Sequence, residues 1–426
     1  MTAPSVATDI GIARNRDAED ELADFRNAFD LPHEAGGTPL HYLCGHSLGL
    51  MPAAARRSVV RELDRWARLG AEAHFDAGDG WFAFHERFAA PLAGLVGAEP
   101  REVVAMNSLT VNLHLMLASF FRPSGERRRI LIEQGAFPSD RYAVESQLAF
   151  HGLDPAADLV RLASESGRLT AAALDAALAR ESGRVALVLL PGVQYITGEA
   201  IDLTGCAAVA RRHGCGIGFD LAHAIGNLAL DLRASEPDFA VWCSYKYLNG
   251  GPGAIGGCFV NRRWIGDAKL PRLEGWWGHE ARTRFDNASP FQPIASAEAW
   301  QLSNPPILAM APLEASLALF VAAGPARLRR KSVALTGYLE ALVQTWCAER
   351  IEILTPSDPA ARGAQLSLRL PRDLADTGRI AAAMRAAGVV VDWRAPDVLR
   401  LAPVPLYNRF VDVHAAASAL AAALSG

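Results

Sequence analysis

Asp220, His223 and Lys246 are the residues in this sequence whose types and spacing point most directly to chemistry. The stretch from Asp238 to Val260 reads DFAVWCSYKYLNGGPGAIGGCFV. Phe239 to Cys243 are bulky or β-branched apolar residues and predict a buried strand. Ser244, Tyr245 and Lys246 follow at its end, and a glycine-rich turn from Asn249 to Gly253 leads into a second strand, Gly256 to Val260. Lys246 thus stands at a strand exit, beside hydroxyls and facing a loop that lets backbone come close. An amine drawn into an apolar setting favours its neutral, nucleophilic form. Earlier in the chain, Arg212 to Gly226 reads RHGCGIGFDLAHAIG, in which a short apolar strand, Gly216 to Phe219, stops at Asp220. A strand-end aspartate with a strand-end lysine is what a pyridoxal phosphate site requires. The amine bonds the cofactor's aldehyde carbon, and the carboxylate keeps the pyridine nitrogen protonated, so that the ring becomes an electron sink. Each residue also has a plainer reading. A strand-end lysine is more often solvated, and Asp220 could cap a helix begun by Leu221 to Ile225.

The elements that must position these residues follow from periodicity. Val103 to Met106 predict a strand, after which Asn107, Ser108, Leu109 and Thr110 lead into an apolar helix, Val111 to Phe120. A polar helix start offers free N–H groups and the positive end of a dipole, which suit a phosphate, although a simple Ser/Thr cap is the plainer account. Arg129 to Ile132 predict a strand that leads to Ala136, Phe137, Pro138, Ser139 and Asp140; a loop-borne Phe137 covers either core or a flat ring. Val185 to Leu190 predict a strand ending at Pro191. Strands alternating with helices such as Thr170 to Arg180 and Thr204 to Arg212 predict a mostly parallel sheet, whose ligands lie beyond the carboxyl ends of the strands. Thr110, Phe137, Asp220 and Lys246 all fall on that edge. Before this sheet, residues 1 to 38 read as an acidic, loop-like arm, and Pro52 opens a helix whose Val59, Leu63 and Trp66 predict a buried face. His74 lies in a polar loop, most simply at the surface. After the sheet come GWWGHE (275 to 280), the bend Ser303–Asn304–Pro305–Pro306, and a smaller α+β region with strands at 351–354, 365–370, 389–391 and 398–404. Arg400 interrupts the last of these and needs a carboxylate, either a structural Asp or a substrate.

With 426 residues and half of them hydrophobic, the chain has ample material for a large core. Its formal net charge of −4 gives no electrostatic reason to expect nucleic acid or an anionic membrane as partner. No apolar run approaches membrane-spanning length, and the first twenty residues resemble neither a signal nor a transit peptide. The six cysteines are scattered, as reduced thiols of a cytoplasmic enzyme would be. Cys206, His213 and Cys215 lack a second paired cluster, so no metal is expected.

With these residues in view, the sequence resembles kynureninase, a family of fold type I pyridoxal phosphate enzymes related to class V aminotransferases. The stretches that carry the resemblance are GHSLGL (45–50), NSLTVNLHL (107–115), AFPSDRYAVESQL (136–148), GFDLAHAIGN (218–227), WCSYKYLN (242–249), GWWGHE (275–280), SNPPIL (303–308) and APVPLYN (402–408). The resemblance implies an α/β fold: an N-terminal arm (1–40), a large cofactor domain with a mostly parallel sheet (41–314) and a small α+β domain (315–426). It implies hydrolysis of L-kynurenine, or its 3-hydroxy form, to anthranilate (or 3-hydroxyanthranilate) and L-alanine, in tryptophan degradation or NAD biosynthesis. It also implies residue roles. Lys246 would hold the cofactor, Asp220 its ring nitrogen, with His223 alongside and Phe137 stacked on the ring. Leu109 and Thr110 would bind the phosphate through their helix start, Pro138 and Ser139 would line the pocket, and Asp140 would close it. Tyr245 would contact the phosphate and relay protons. Trp276 and Asn304 would reach the phosphate from a second subunit, so a homodimer is expected. Arg400 would take the substrate carboxylate, with His74, Ser303 and Asn304 at the aryl end. Pro191, where some relatives have serine, removes a hydrogen bond, and Trp277, where phenylalanine is common, should narrow the substrate cavity or add a stacking surface.

The rival readings are a cysteine desulfurase or aminotransferase of the same fold, or a cofactor-binding protein without turnover. A desulfurase needs a mobile loop cysteine, whereas Cys243 and Cys258 fall within strands.

Overall fold

The computed structural model describes residues 8–163, 168–286, 289–371 and 377–425. Seven strands form the central sheet: β1 Val103–Ala105, β2 Arg129–Glu133, β3 Leu159–Leu162, β4 Val185–Pro191, β5 Gly216–Asp220, β6 Phe239–Cys243 and β7 Gly256–Val260. Their spatial order is β1-β7-β6-β5-β4-β2-β3. The five strands from β6 to β3 are parallel neighbours, and β7 runs against β6 and β1. Alternate residues feed opposite faces, as the period of two requires. Ile130, Ile132, Leu187, Leu189, Phe239 and Val241 join one apolar cluster, and Leu131, Val188, Leu190, Ile217, Phe219 and Trp242 join the other. Both faces are therefore covered, and the strands read as continuous apolar runs for that reason.

Nine helices matter to the argument: α1 Ile10–Ala18, α2 Ala53–Leu69, α3 Leu109–Phe120, α4 Pro138–Phe150, α5 Ala171–Arg180, α6 Leu203–Arg212, α7 Ile307–Ala323, α8 Pro325–Cys347 and α9 Phe410–Ser425. The crossover helices start where their caps lie. Thr170 Oγ1 accepts from Ala173 N at 3.1 Å ahead of α5, and Asp202 Oδ1 from Gly205 N at 2.9 Å ahead of α6. A second sheet, β8 Glu352–Ile353, β9 Leu366–Arg369, β10 Asp392–Arg394 and β11 Val398–Leu401, is antiparallel in the order β8-β9-β11-β10. It packs on α8 and α9 through a cluster that includes Leu339, Leu342, Leu368, Leu399 and Leu420. Among the described residues no single helix is long and apolar enough to cross a membrane.

Three expectations are corrected. The N-terminal segment is not all loop: Asp9 caps α1 through Gly11 N at 2.8 Å, and α1 buries Ala13 in the same cluster as α9. The inward face of α2 is not Val59–Leu63–Trp66: of the three only Val59 packs on the core, half-buried. Its buried residues are Ala55, Ser58, Glu62 and Arg65, while Val60, Leu63 and Trp66 are exposed. Charge pairing decides this. Arg65 meets Glu62 at 3.2 Å, Asp79 at 2.8 Å and Asp76 at 3.1 Å, and Glu62 also accepts from Trp81 Nε1 at 2.7 Å. Finally, Leu221 to Ile225 form turns rather than a helix. Asp220 Oδ1 takes the Ala222 N–H at 2.7 Å, and this local bond competes with helix formation.

Candidate active site

A cleft opens at the carboxyl edge of the central sheet, where ligands of such sheets bind. The end of β5 lends it Asp220 and His223, and the turn after β6 lends Tyr245 and Lys246. The starts of α3 and α4 lend Leu109, Thr110, Phe137, Ser139 and Asp140. Two glycines let the backbones close up here. A Cβ on Gly49 would stand 2.3 Å from the Lys246 carbonyl oxygen, and one on Gly256 would stand 2.8 Å from the Trp242 carbonyl oxygen and 3.2 Å from Leu109 N.

Lys246 Nζ lies 5.8 Å from the Phe137 ring centroid, and Phe137, itself 40% exposed, meets Tyr195 edge-to-face at 5.2 Å. Thr110 and Ser139 join hydroxyls at 2.9 Å, side by side at two helix starts. Pro138 is the first residue of α4, with its side chain exposed. Asp140 and Asp220 are both buried in this cleft, where two carboxylate charges repel each other. Burial first, then the charge of Asp220, pushes Asp140 well above the carboxylate range and favours its neutral form. Burial also raises Asp220, and the Lys246 ammonium opposes the rise. Burial, with Lys246 and His46 nearby, drives His223 well below the usual range and keeps it neutral. Burial raises the Tyr245 phenol, which stays protonated. Pro191 lines the cleft without a donor, as its type dictates.

The remaining expected residues stand elsewhere. Arg400 is fully buried in β11 with a structural partner: its Nη2 lies 2.8 Å from Asp392 Oδ1, and its Nη1 donates to the carbonyl of Tyr195, a cleft-lining residue, at 2.6 Å. Ser303 and Asn304 are exposed, and Trp276 is 41% exposed. His74 closes a short helical turn, with its Nδ1 3.1 Å from the Ala71 carbonyl and its ring 5.3 Å from Trp81 and 6.2 Å from Phe82. Phe82 leads on to Trp277 at 4.9 Å, and Trp277 to Trp276 at 5.0 Å. None of these lines the cleft within one chain. Trp277 is fully buried against Phe82 and the Arg284 guanidinium, so within one chain it adds a stacking surface to this aromatic cluster and does not line the cleft.

Sequence reasoning missed Glu133, Val193, Tyr195 and Ala222, which also line the cleft. Glu133 carried a usable signal: it is an acid closing the apolar strand Ile130–Ile132, the same mark that singles out Asp220.

Curated relatives named kynureninase, from Xanthomonas euvesicatoria pv. vesicatoria (strain 85-10) and Xanthomonas oryzae pv. oryzae (strain PXO99A), are each 54% identical over 400 residues, 93% of this chain and 94% of theirs. The chain belongs to the kynureninase family. The family model described as the kynureninase C-terminal domain matches residues 328–420, the part of this kynureninase-family chain that carries Arg400. Among solved structures, a C-DES variant with glycine covalently linked to its PLP cofactor superposes with a TM-score of 0.75 at 19% identity, covering 93% of this chain and 98% of its own. A cysteine desulfurase from Thermococcus onnurineus gives 0.73 at 17% identity, covering 91% and 95%. At such identities these two share the fold and nothing finer. Cys243 lies in β6 and Cys258 in β7, both buried, and burial lifts the Cys243 thiol to about 11, so neither is a mobile thiolate.

The cleft fits pyridoxal phosphate. Asp140 Oδ1 and His223 Nδ1 are buried polar atoms without a partner among the described residues, a state that costs about 1–3 kcal/mol each unless a ligand or water answers it. Two hydroxyls and two helix starts, at α3 and α4, supply donors for an anionic group at the same cleft.

Proposed function

We infer that this kynureninase-family chain hydrolyses the Cβ–Cγ bond of L-kynurenine, or its 3-hydroxy form, to anthranilate (or 3-hydroxyanthranilate) and L-alanine. The observation that carries this is the meeting of Asp220 and Lys246 in one cleft, in a chain 54% identical to curated kynureninases. The cofactor is pyridoxal phosphate, which when bound supplies an electrophilic carbon and a ring that withdraws electrons.

The side chains supply the rest. Lys246 would hold the group through Nζ, and the same amine, when free, is placed to take the substrate's α-proton. Asp220 would hold the proton on the ring nitrogen, and neutral Asp140 beside it would spare the cleft a second negative charge. Thr110, Ser139 and the free N–H groups of α3 receive the phosphate. Tyr245, held protonated, donates there and passes a proton to the departing carbon. Phe137 covers the ring and excludes water. A water molecule adds its oxygen to the acyl carbon, the C–C bond breaks, and its electron pair leaves with the alanyl carbon, which is then protonated. Arg400 takes the substrate carboxylate while sharing Asp392, a charge-assisted bond of about 1.5–3 kcal/mol.

The working unit in this reading is a homodimer. Its support is exposed apolar surface: Leu48, Met51 and Val60 line one groove with Gly49, whose N–H bonds the Tyr245 carbonyl at 2.8 Å, and Leu63 and Trp66 are exposed on α2. A partner would bring Trp276 and Asn304 to the phosphate, and His74 and Ser303 to the aryl end. Six free cysteines fit a cytoplasmic home. A large cofactor domain and a smaller C-terminal one complete the reading; membership of the apolar clusters supports a boundary in α8, between Leu328 and Leu335, a little beyond residue 315.

The test is a visible absorption spectrum of the purified protein, before and after Lys246→Ala, followed by anthranilate fluorescence on adding kynurenine. A colourless protein, or transamination in place of anthranilate release, would sink the reading.

A further inference from the structure

We propose that Glu133 is a positioning residue of the cofactor cleft: a third buried carboxyl whose own proton decides how much negative charge the pair Asp140–Asp220 works against. The proposal rests on the cofactor reading above and deepens it.

Glu133 closes β2, is 4% exposed and lines the same cleft as Asp140, Asp220 and Lys246. Its contact is with Gln194, whose Nε2 lies 3.5 Å from Glu133 Oε1 and donates to the Gly135 carbonyl at 3.1 Å. The orientation of that amide is fixed, because Gln194 Oε1 accepts from Ile196 N at 2.6 Å and Thr197 N at 2.9 Å. The titratable groups that share the cleft with Glu133 or act on it, His223 and Tyr245 among them, come from several elements. Asp140 belongs to α4, Asp220 to β5, Lys246 follows β6, and Tyr195 and Glu199 stand on the loop after β4. Glu199 is itself paired with Arg168 Nε at 3.0 Å. Burial pushes Glu133 up to about 7, with Gln194 opposing and Glu199 adding. A carboxyl so held changes charge in the neutral range, beside Asp140, whose proton its negative charge helps to retain. As pH rises through 7 the cleft gains one negative charge, and a ring nitrogen paired with Asp220 keeps its proton more firmly.

The experiment loads wild type, Glu133→Gln and Glu133→Asp with pyridoxal phosphate labelled with ¹⁵N in the ring. It follows the ring-nitrogen shift and the visible band from about pH 6 to 9, the range about the ordinary His and shifted Glu titrations. Wild type should show a step near neutral pH, Glu133→Gln should lack it, and Glu133→Asp should restore it at a shifted pH. A loss of packing alone would not remove a titration step and then return it in the conservative variant. The same step in Glu133→Gln as in wild type, in a folded and loaded protein, would overturn the proposal while leaving the cofactor reading intact. Failure of wild type to take up the cofactor would overturn both.

Discussion

The cofactor cleft and the aromatic cluster around His74 were expected to be two walls of one site, yet they are built in different ways. The cleft is assembled within one chain: strand ends β2, β4, β5 and β6 and two helix starts bring their side chains together on a sheet edge. The aromatic cluster, His74 through Phe82 to Trp277 and Trp276, belongs to loops and short helical turns, and its expected ligands Ser303 and Asn304 face solvent. A sheet edge fixes its residues by backbone hydrogen bonds that the fold must make anyway. A loop cluster has no such frame and becomes a wall only when something else closes on it.

The largest effect should come from the cleft itself. Lys246→Ala removes both the cofactor's anchor and the base, and kcat/KM should fall by about 10⁴-fold or more. The protein should still fold, since Lys246 is only half-buried. A stopped assay for anthranilate with added pyridoxal phosphate measures it, and a loss under tenfold would mean that another group does this work.

The second experiment breaks or joins the two walls directly. Lys246→Ala and Asn304→Ala, each unfolded and refolded alone, should both be nearly inactive. Refolded together, they should recover about a quarter of wild-type activity, because half of the random dimers hold one intact site made of both chains. No recovery on mixing would mean that Asn304 serves its own chain or neither.

How much of this was legible in the sequence follows the same division. Apolar runs such as Val185–Leu190 announce buried parallel strands because both their faces are covered, and an abrupt acid or lysine at the end of such a run marks the edge where ligands bind. Asp220 and Lys246 were found in this way, and Glu133 could have been. The face of α2 was misread in part, because periodicity counts Leu63 and Trp66 as inward along with Val59, the one of the three that packs on the core. It cannot weigh a buried Glu62–Arg65 pair whose partners, Asp76 and Asp79, lie in the following loop. Arg400 shows the same limit. Its strand was visible, but its share between Asp392 and the Tyr195 carbonyl depends on a contact across 205 residues.

That ion-pair network gives the third test. Arg65 is buried among Glu62, Asp76 and Asp79, and Asp79 goes on to Arg87 at 2.7 Å. Arg65→Ala leaves Glu62 buried with less compensation, and stability should drop by about 3 kcal/mol, read from urea midpoints at constant slope. The cleft should not feel it: cofactor uptake per folded molecule should match wild type. Reduced uptake in Arg65→Ala would mean that the two regions are mechanically coupled in one chain, against the contrast drawn here.

The smallest effect expected is the most informative about substrate. His74 uses Nδ1 on the Ala71 carbonyl, so Nε2 is the nitrogen available to a ring hydroxyl at the aryl end of the site. One neutral hydrogen bond is worth about 0.5–1.5 kcal/mol, so His74→Phe should lower the preference for 3-hydroxykynurenine over kynurenine by about 2- to 12-fold. The measurement is the ratio of the two kcat/KM values, in which general damage to folding or cofactor loading cancels. Phenylalanine keeps the ring against Trp81 and Phe82, so the aromatic cluster stays packed and the comparison isolates the nitrogen. An unchanged ratio would take His74 out of the site, leaving it as the aromatic packing residue that its neighbours also allow.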